Sequence, residues 1–348
     1  MTLNPPQTTI PFDRAISART FLRPIAPFLD DPAITELAIV RPGELFTRQA
    51  GAWHHQQCPA LTYDHLAALA NALTVYNKLG TTPILSVVLP DGERGQIIQP
   101  PACLDGTIAM NIRKHTQVVK TLDDLDTDGA FDHVHDSANE ICADGLMPTD
   151  HRLLVLKNAG RMVEFLHEAV QARRNIVIAG ATGSGKTTFA RSLIERVPLN
   201  ERLITIEDVH ELVLPNHPNR VHMMYGGTRG RVTAMDCIAA CMRLTPDRIF
   251  LAELRGAEAW EYLAALNTGH PGSITTTHAN SAADTYDRLV TLIKQSPTGG
   301  QLDLNTIRDF LTHTVDIVLY YEHYRLTQVW YEPRRRTLAT ANQGNLYG

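Results

Sequence analysis

The chain has 348 residues, enough for two domains with sizeable cores. Hydrophobic residues make up 44% of it and charged residues 20%, a globular composition that argues against fibrous or disordered classes. The formal net charge of -5 argues against a basic nucleic-acid binder, and no direct sequence-specific nucleic-acid binding is expected.

Targeting and cysteine patterns narrow the class further. No apolar run reaches about 18 residues, so no transmembrane helix is predicted. The start has no basic head followed by an apolar stretch, so no secretory signal is expected. The five cysteines form no CxxC pair, which argues against a zinc knuckle or a redox pair. These patterns predict a cytoplasmic protein, or one held on the membrane surface through a partner.

The first part of the chain predicts a partly disordered tail followed by a small α+β domain. Residues 1–20 are rich in proline and threonine, as disordered termini often are. Within residues 21–115, two strands flank a turn at Pro42-Gly43, a helix is predicted over 61–80, and a later segment repeats the strand pattern. Runs of strands beside a helix are typical of α+β domains.

An acidic segment over residues 116–149 has little periodicity and is interpreted as a linker. Over residues 150–348 the pattern changes to short buried strands, mostly separated by helical or turn-rich segments. A helix interrupted near Gly160 precedes the first strand. The alternation predicts an α/β domain with a parallel or mixed sheet covered on both faces. The predicted strands are 175–180, 202–207, 248–254, 272–278 and 316–321.

A glycine-rich junction between a strand and a helix carries the clearest chemistry. Residues 180–187 fit the pattern G-x-x-x-x-G-K-[ST], whose backbone N–H groups cradle phosphates while the helix adds its positive N-terminus. Lys186 is expected to reach the β- and γ-phosphates of ATP, and the Thr187 hydroxyl to bind Mg²⁺. The predicted nucleotide-binding residues are Gly180, Ala181, Thr182, Gly183, Ser184, Gly185, Lys186, Thr187 and Thr188.

Hydrolysis needs a carboxylate near the γ-phosphate to position or deprotonate water. Glu253 follows an apolar strand, and Glu207 and Asp208 end another, where a doubly wound sheet places ligand-facing groups. We predict that Glu253 acts on the water and that Glu207 belongs to the Mg²⁺ shell with Thr187. Taken alone, each acid is as compatible with a helix cap or a surface charge as with a role in the reaction.

Histidines and arginines offer further candidates. His270 and His278 flank a strand of small residues. A packing or surface role is common for such histidines, and a γ-phosphate contact is the alternative for His278; the spacing does not decide between them. Arginines near a γ-phosphate stabilise transition-state charge, often from a neighbouring subunit. The candidates are Arg94, Arg113, Arg243 and Arg255, which lie beside strands or beside Glu253.

Together these motifs resemble the secretion ATPase superfamily, and in particular the hexameric traffic ATPase of type IV secretion and conjugation systems, the eleventh VirB component. The resemblance covers nearly the whole chain. Four motifs follow one another in the family's order: "GATGSGKTT", "LITIEDVHEL", "PDRIFLAELRG" and "TGHPGSITTTHAN". They are similar to its phosphate loop, acidic box, Walker B strand and histidine box. The resemblance implies a RecA-like P-loop domain behind a smaller α+β domain.

The resemblance also implies residue roles. Glu207 falls in the acidic box, Glu253 in Walker B and His278 in the histidine box. Arg94 and Arg113 would reach from the N-terminal domain to the phosphates. In two places this chain departs from the family's pattern: Thr245 replaces an arginine, which leaves Arg243 as its possible substitute, and Ala252 replaces a glycine.

The family works as a ring of six with two stacked tiers, so the resemblance implies a homo-hexamer that energises pilus assembly and substrate transfer. Implied partners are other type IV secretion ATPases and inner-membrane channel subunits, with peripheral association on the cytoplasmic face of the inner membrane. The linker resembles that of members whose domains are exchanged between neighbours. Alternatives are a type II secretion or pilus retraction ATPase, a nucleic-acid translocase, and a nucleotide-binding regulator.

Overall fold

Short apolar strands separated by turns build the fold, which a computed structural model describes for residues 15–114, 121–127, 129–130, 132, 145–226 and 232–333. The chain divides into two compact units, residues 1–115 and 116–348. No helix in the described ranges is both long and apolar enough to cross a lipid bilayer.

The first unit contains a six-stranded antiparallel sheet, in the order β3-β2-β1-β6-β5-β4. The predicted turn at Pro42-Gly43 joins its first two strands, where Gly43 adopts a φ of 87° that suits glycine. The strands are β1 (Ile34–Arg41), β2 (Glu44–Gln49), β3 (Ala52–Gln57), β4 (Ile84–Val88), β5 (Arg94–Ile98) and β6 (Ala109–Arg113).

In the described part of this unit, three α-helices accompany the sheet: α1 (Ala15–Leu22), α2 (Ala26–Asp30) and α3 (Tyr63–Tyr76). The Thr62 side chain caps α3 by accepting a hydrogen bond from the His65 N–H, and Leu66, Leu69 and Leu73 bury its apolar face in the core. The predicted helix over 61–80 is therefore confirmed, with both ends shorter.

The predicted tail over residues 1–20 is wrong at its end. Helix α1 begins at Ala15, and the Ala18 side chain is fully buried in the core of the first unit. Residues 1–14 of that tail lie outside the described residues, as does most of the predicted linker. Within the linker's described part, helix α4 spans Leu122–Thr127, and helix α5 begins just before its end.

The second unit is built on mainly parallel strands in two adjoining sheets, with the orders β10-β8-β9 and β11-β12-β7-β13-β14. Strands β10 and β11 are separated by Ala252 alone, so one stretch of chain passes from the first sheet to the second. The strands are β7 (Ile176–Ala179), β8 (Leu203–Glu207), β9 (Arg220–Met224), β10 (Arg248–Leu251), β11 (Glu253–Leu254), β12 (Ile274–Thr277), β13 (Ile317–Glu322) and β14 (Arg325–Tyr331).

Every residue of β7, β8, β10 and β12 is buried, as expected for parallel strands covered on both faces. The predicted α/β fold is confirmed, and so is the interruption at Gly160, which has a φ of 70° between two helices. The helices of this unit beyond α4 are α5 (Pro148–Asn158), α6 (Met162–Gln171), α7 (Lys186–Ile194), α8 (Ala234–Cys241), α9 (Glu258–Leu266), α10 (Ala282–Ile293) and α11 (Leu304–Thr314).

Candidate nucleotide-binding site

The predicted phosphate loop runs from the buried strand β7 to the start of helix α7. Gly183 and Gly185 adopt φ angles of 72° and 95°, which a residue with a Cβ rarely takes. Gly185 is the N-cap of α7, so the loop ends at a helix N-terminus that favours anions. Ala181 and Thr182 are exposed within the loop, as is Thr188 in the first turn of the helix, whereas Ser184 is buried.

The β13–β14 hairpin supports the phosphate loop. The sequence did not predict this contact. A Cβ on Gly180 would lie 2.1 Å from the Tyr321 carbonyl oxygen, so only glycine permits this approach. The Tyr324 N–H donates to the Ser184 carbonyl at 3.1 Å, and the Tyr321 ring stacks on Phe189 of α7 at 4.6 Å. The β13–β14 hairpin therefore fixes the loop at both ends.

Lys186 points into the loop rather than toward solvent. Its ammonium group donates to the carbonyls of Gly180 at 2.9 Å and Ala181 at 2.7 Å, and only 7% of the residue is exposed. The pKa of this lysine is lowered, because the effect of burial outweighs the opposite effect of the nearby Glu253 carboxylate. A positive group is thus held among the loop's backbone atoms, where the phosphate-loop pattern places a phosphate-binding lysine.

A continuous chain of polar contacts leads from this lysine to two acids. The Lys186 Nζ lies 3.4 Å from His278 Nδ1, and His278 Nε2 lies 2.9 Å from Glu253 Oε1. Arg255 donates to the other Glu253 oxygen at 2.9 Å and to Asp208 at 2.5 Å. The structure therefore brings together four of the predicted residues, and the γ-phosphate contact of His278 stays a prediction.

The two neighbouring acids at the end of β8 have different surroundings. Glu207 is fully buried, and its two carboxylate oxygens accept hydrogen bonds from Thr205, His210 and two backbone N–H groups. Asp208 is 31% exposed and binds Arg255. The Mg²⁺-shell role predicted for Glu207 stays a prediction. Asp208 is the acid that contacts Arg255, which also donates to Glu253.

Two predicted arginines lie in the first unit, where the sheet pairs them directly. Arg94 at the start of β5 is the register partner of Arg113 at the end of β6, and both side chains are exposed. Like charges in directly opposed positions destabilise a sheet, and Glu36, the register partner of Arg113 on β1, offsets part of this charge. Arg113 also contacts the buried Glu36 at 3.3 Å. Arg243 is exposed just after α8 in the second unit.

A cavity of about 460 Å³ adjoins the loop, and its size is in the range of small-molecule sites. Its walls include Gly180, Ala181, His278, Asp284 and Arg288. A larger cavity of about 860 Å³ in the same unit contains none of the phosphate-loop residues. The smaller cavity is the candidate site because residues of the phosphate loop line it.

Several known proteins are similar to this chain in sequence and fold. A profile of the family described as Type II/IV secretion system protein matches residues 154–319. The type IV secretion system protein VirB11 of Brucella suis is 42% identical over 93% of this chain and 92% of its own length. Protein VirB11 of Agrobacterium fabrum is 38% identical over 91% of this chain and 95% of its own length. This chain belongs to the VirB11 family.

A solved structure of this family agrees with the fold described above. The VirB11 ATPase from the Brucella suis type IV secretion system, crystallised in complex with sulphate, matches with a TM-score of 0.85 at 43% identity. The match covers 91% of this chain and 95% of that one. The resemblance inferred from the four motifs is thereby confirmed. The chain is a type IV secretion ATPase, and the rival assignments are not favoured.

The importance of the close approach at Gly180 for ATP binding has a direct test. Gly180→Ala would push the loop away from the Tyr321 carbonyl, and we expect ATP to bind at least about tenfold more weakly. Titration with a fluorescent ATP analogue measures this. Gly80→Ala is the matched control, because a Cβ there meets no atom within 4 Å. Wild-type affinity in Gly180→Ala would show that the close approach is not needed for binding.

Proposed function

We propose that this VirB11-family chain hydrolyses ATP to ADP and phosphate in the presence of Mg²⁺ and couples the reaction to type IV secretion. One observation carries the proposal: the chain of contacts that joins Lys186 of the phosphate loop, through His278, to the carboxylate of Glu253. A loop that only bound a nucleotide would need no carboxylate in that position.

The phosphate loop would hold the triphosphate. The left-handed backbone of Gly183 and Gly185 and the start of α7 are suited to direct N–H groups at phosphate oxygens, and Lys186 supplies a positive charge beside them. These features fit ATP with Mg²⁺, which would be held by the half-buried Thr187 hydroxyl at the first turn of α7. The bound ion would neutralise phosphate charge.

Glu253 would orient the attacking water and accept its proton. Arg255 donates a hydrogen bond to one carboxylate oxygen, and His278 Nε2 lies 2.9 Å from the other. A carboxylate has about four lone-pair sites, so two remain for a water molecule. Asp208 holds Arg255 from the other side, which makes it a positioning residue for the Glu253 carboxylate.

Arg94 and Arg113 would supply positive charge to the phosphates. They are register partners on the neighbouring strands β5 and β6, and guanidinium groups bind phosphate oxygens through charge-assisted hydrogen bonds. Arg255 and the exposed Arg243 are further candidates for stabilising the transition state. Which arginine acts across a subunit boundary depends on the assembly.

The assembly we propose is a homo-hexamer on the cytoplasmic face of the inner membrane, working with other secretion ATPases and with inner-membrane channel subunits. Family membership over more than nine-tenths of the chain supports this proposal. Its cargo, whether DNA, protein or both, would be set by those partners.

The catalytic role of Glu253 has a direct test. Glu253→Gln keeps the shape and one hydrogen-bond acceptor but cannot take a proton, so we expect the ATPase kcat to fall by at least about 100-fold. ATP affinity should stay close to that of the wild type. Glu164→Gln, which changes an exposed acid on α6, is the control and should retain full turnover. Unchanged turnover in Glu253→Gln would show that another group activates the water.

The arginine pair predicts a change in KM. Arg94→Ala removes one charge-assisted contact, and we expect the KM for ATP to rise about tenfold. Steady-state ATPase assays measure this, with Arg23→Ala, an exposed arginine of the same unit, as the control. Equal KM values for both variants and the wild type would remove Arg94 from the site.

The ring predicts a native mass of six chains when the protein is incubated with Mg²⁺ and ATP. Native mass spectrometry with and without nucleotide measures this directly. A monomer that persists at high concentration with nucleotide would contradict self-assembly of the isolated chain.

A further inference from the structure

The cavity of about 860 Å³ in the second unit has no part in the proposed ATP reaction. Its walls come from the first turn of α5, from α10, from the segment between α11 and β13, and from the end of β14. Segments far apart in the chain therefore meet around it. Its volume lies within the range of cavities that bind small ligands.

The charged groups in the cavity wall are mostly acidic. Three carboxylates line it: Asp150 in the first turn of α5, Asp316 just before β13 and Glu332 just after β14. Among the described residues of the wall, Arg174 is the only arginine or lysine, so with His313 neutral the acids exceed the bases by two charges. The start of α5 also stabilises the ionised form of Asp150. The wall is therefore suited to a cation.

Hydrogen bonds within the wall use only one oxygen of each aspartate. Asp150 Oδ1 accepts from Arg174 at 2.6 Å and from the Tyr331 hydroxyl at 2.8 Å. Asp316 Oδ2 accepts from the Asn175 backbone N–H at 2.7 Å. Within the described part of the chain, nothing donates to Asp150 Oδ2, and Asp316 Oδ1 has only an Arg174 nitrogen 3.6 Å away. One oxygen of each aspartate thus remains available to a further donor.

The Asp316 carboxylate lacks sufficient compensating charge. Burial raises its pKa by more than the Asn175 hydrogen bond and the charge of Arg174 lower it. The 3.6 Å separation from Arg174 is longer than a normal hydrogen bond, so that contact is weak. A cation in the cavity would stabilise the ionised form of Asp316.

Aromatic rings complete the wall and indicate which kind of cation fits. Tyr286 of α10 and Trp330 of β14 are both partly exposed, and their ring centroids lie 6.0 Å apart with the planes inclined by 59°. A guanidinium group stacks on aromatic faces and donates to carboxylates in pairs, whereas an ammonium group is compact and more strongly hydrated. Rings beside carboxylates therefore favour arginine over lysine.

We propose that this cavity binds the guanidinium group of an arginine side chain presented by a peptide segment. The group would lie among the free oxygens of Asp150 and Asp316 and the carboxylate of Glu332, against the rings of Tyr286 and Trp330. The site goes beyond the proposed ATP reaction and does not depend on it.

Two sources could present this chemistry. Three arginines, at positions 334–336, directly follow Pro333, which is itself part of the cavity wall. These three arginines lie outside the described residues. A basic segment of another protein is the second source. The chain's own arginines would have the advantage of a high effective concentration, because they are attached beside the cavity.

Peptide binding to the full-length protein tests this site. The probe is an acetylated and amidated peptide with the sequence RRRTL. The receiving protein carries Arg334→Ser, Arg335→Ser and Arg336→Ser, so that its own arginines cannot compete; we call it the triple-serine protein. Isothermal titration should show one site per chain. The same peptide with citrulline in place of arginine keeps the shape but lacks the charge, and it should bind at least about tenfold more weakly.

Variants of the wall place the peptide in the cavity. In the triple-serine protein, Asp316→Asn should weaken binding at least about tenfold and Glu332→Gln about threefold, because the first acid is partly buried and the second is exposed. Glu322→Gln, which changes an exposed glutamate at the end of β13, is the matched control and should leave the affinity unchanged. Trp330→Phe keeps an aromatic ring, so it should retain the affinity while removing most of the fluorescence change on binding.

Comparison with the wild-type chain distinguishes the two sources, and either result supports the site. Peptide binding at least about tenfold weaker in the wild type than in the triple-serine protein would mean that the chain's own arginines occupy the cavity. Equal affinity would mean that the cavity of the wild type is free to bind a segment of another protein.

Three outcomes would overturn the proposal: no binding of the peptide to the triple-serine protein, equal binding of the citrulline peptide, or unchanged affinity in both Asp316→Asn and Glu332→Gln. Asp316 also accepts a hydrogen bond from Asn175, so Asp316→Asn could fail to fold. Glu332→Gln and the citrulline peptide then still decide the question. Loss of ATPase activity in Glu253→Gln would affect none of these results.

Discussion

The parallel pairing of β7 with its neighbours is the constraint on which the site depends. In the observed register, Ala179 is the partner of both Thr277 and Tyr320, and Thr277 is the partner of Leu254. Strands β7, β11 and β12 therefore reach their carboxyl ends at one level of the sheet, whereas β13 continues for two residues beyond its pairing with β7. The residues that come next at this level are Gly180, His278, Tyr321 and Arg255. A shift of one residue in any pair would turn these side chains to the other face.

Charge alternation along that edge then decides which contacts form. A lysine, a histidine, a carboxylate, an arginine and a second carboxylate follow one another at distances between 2.5 and 3.4 Å. Each cation lies beside an acceptor, so the partly buried Glu253 is not left as an isolated charge, which would be costly. The same arrangement restricts Glu253 to one orientation, and a water-activating carboxylate benefits from that restriction. Stability and the proposed chemistry thus depend on the same contacts.

The sequence indicated much of this because the strands and the phosphate loop have local signals. Apolar runs predicted β7, β8, β10, β12 and β13, and the glycine spacing predicted the loop. The roles of Tyr321 and Tyr324 could not be predicted, because their contact with the loop depends on β13 lying beside β7, a pairing of residues far apart in the chain. The close approach at Gly180 likewise follows from packing and not from the loop pattern. Strand β9, whose short mixed run has no clear period, was not predicted.

The acids at the end of β8 show where sequence reasoning stops for a physical reason. Glu207 is the last residue of β8, and Asp208 follows it just outside the strand. The motif contains both acids, but which partners each one meets depends on segments far apart in the chain. The structure turns Glu207 toward two histidines and Asp208 toward Arg255. Two neighbouring carboxylates therefore lie in two environments, one fully buried among hydrogen-bond donors and the other partly exposed beside Arg255.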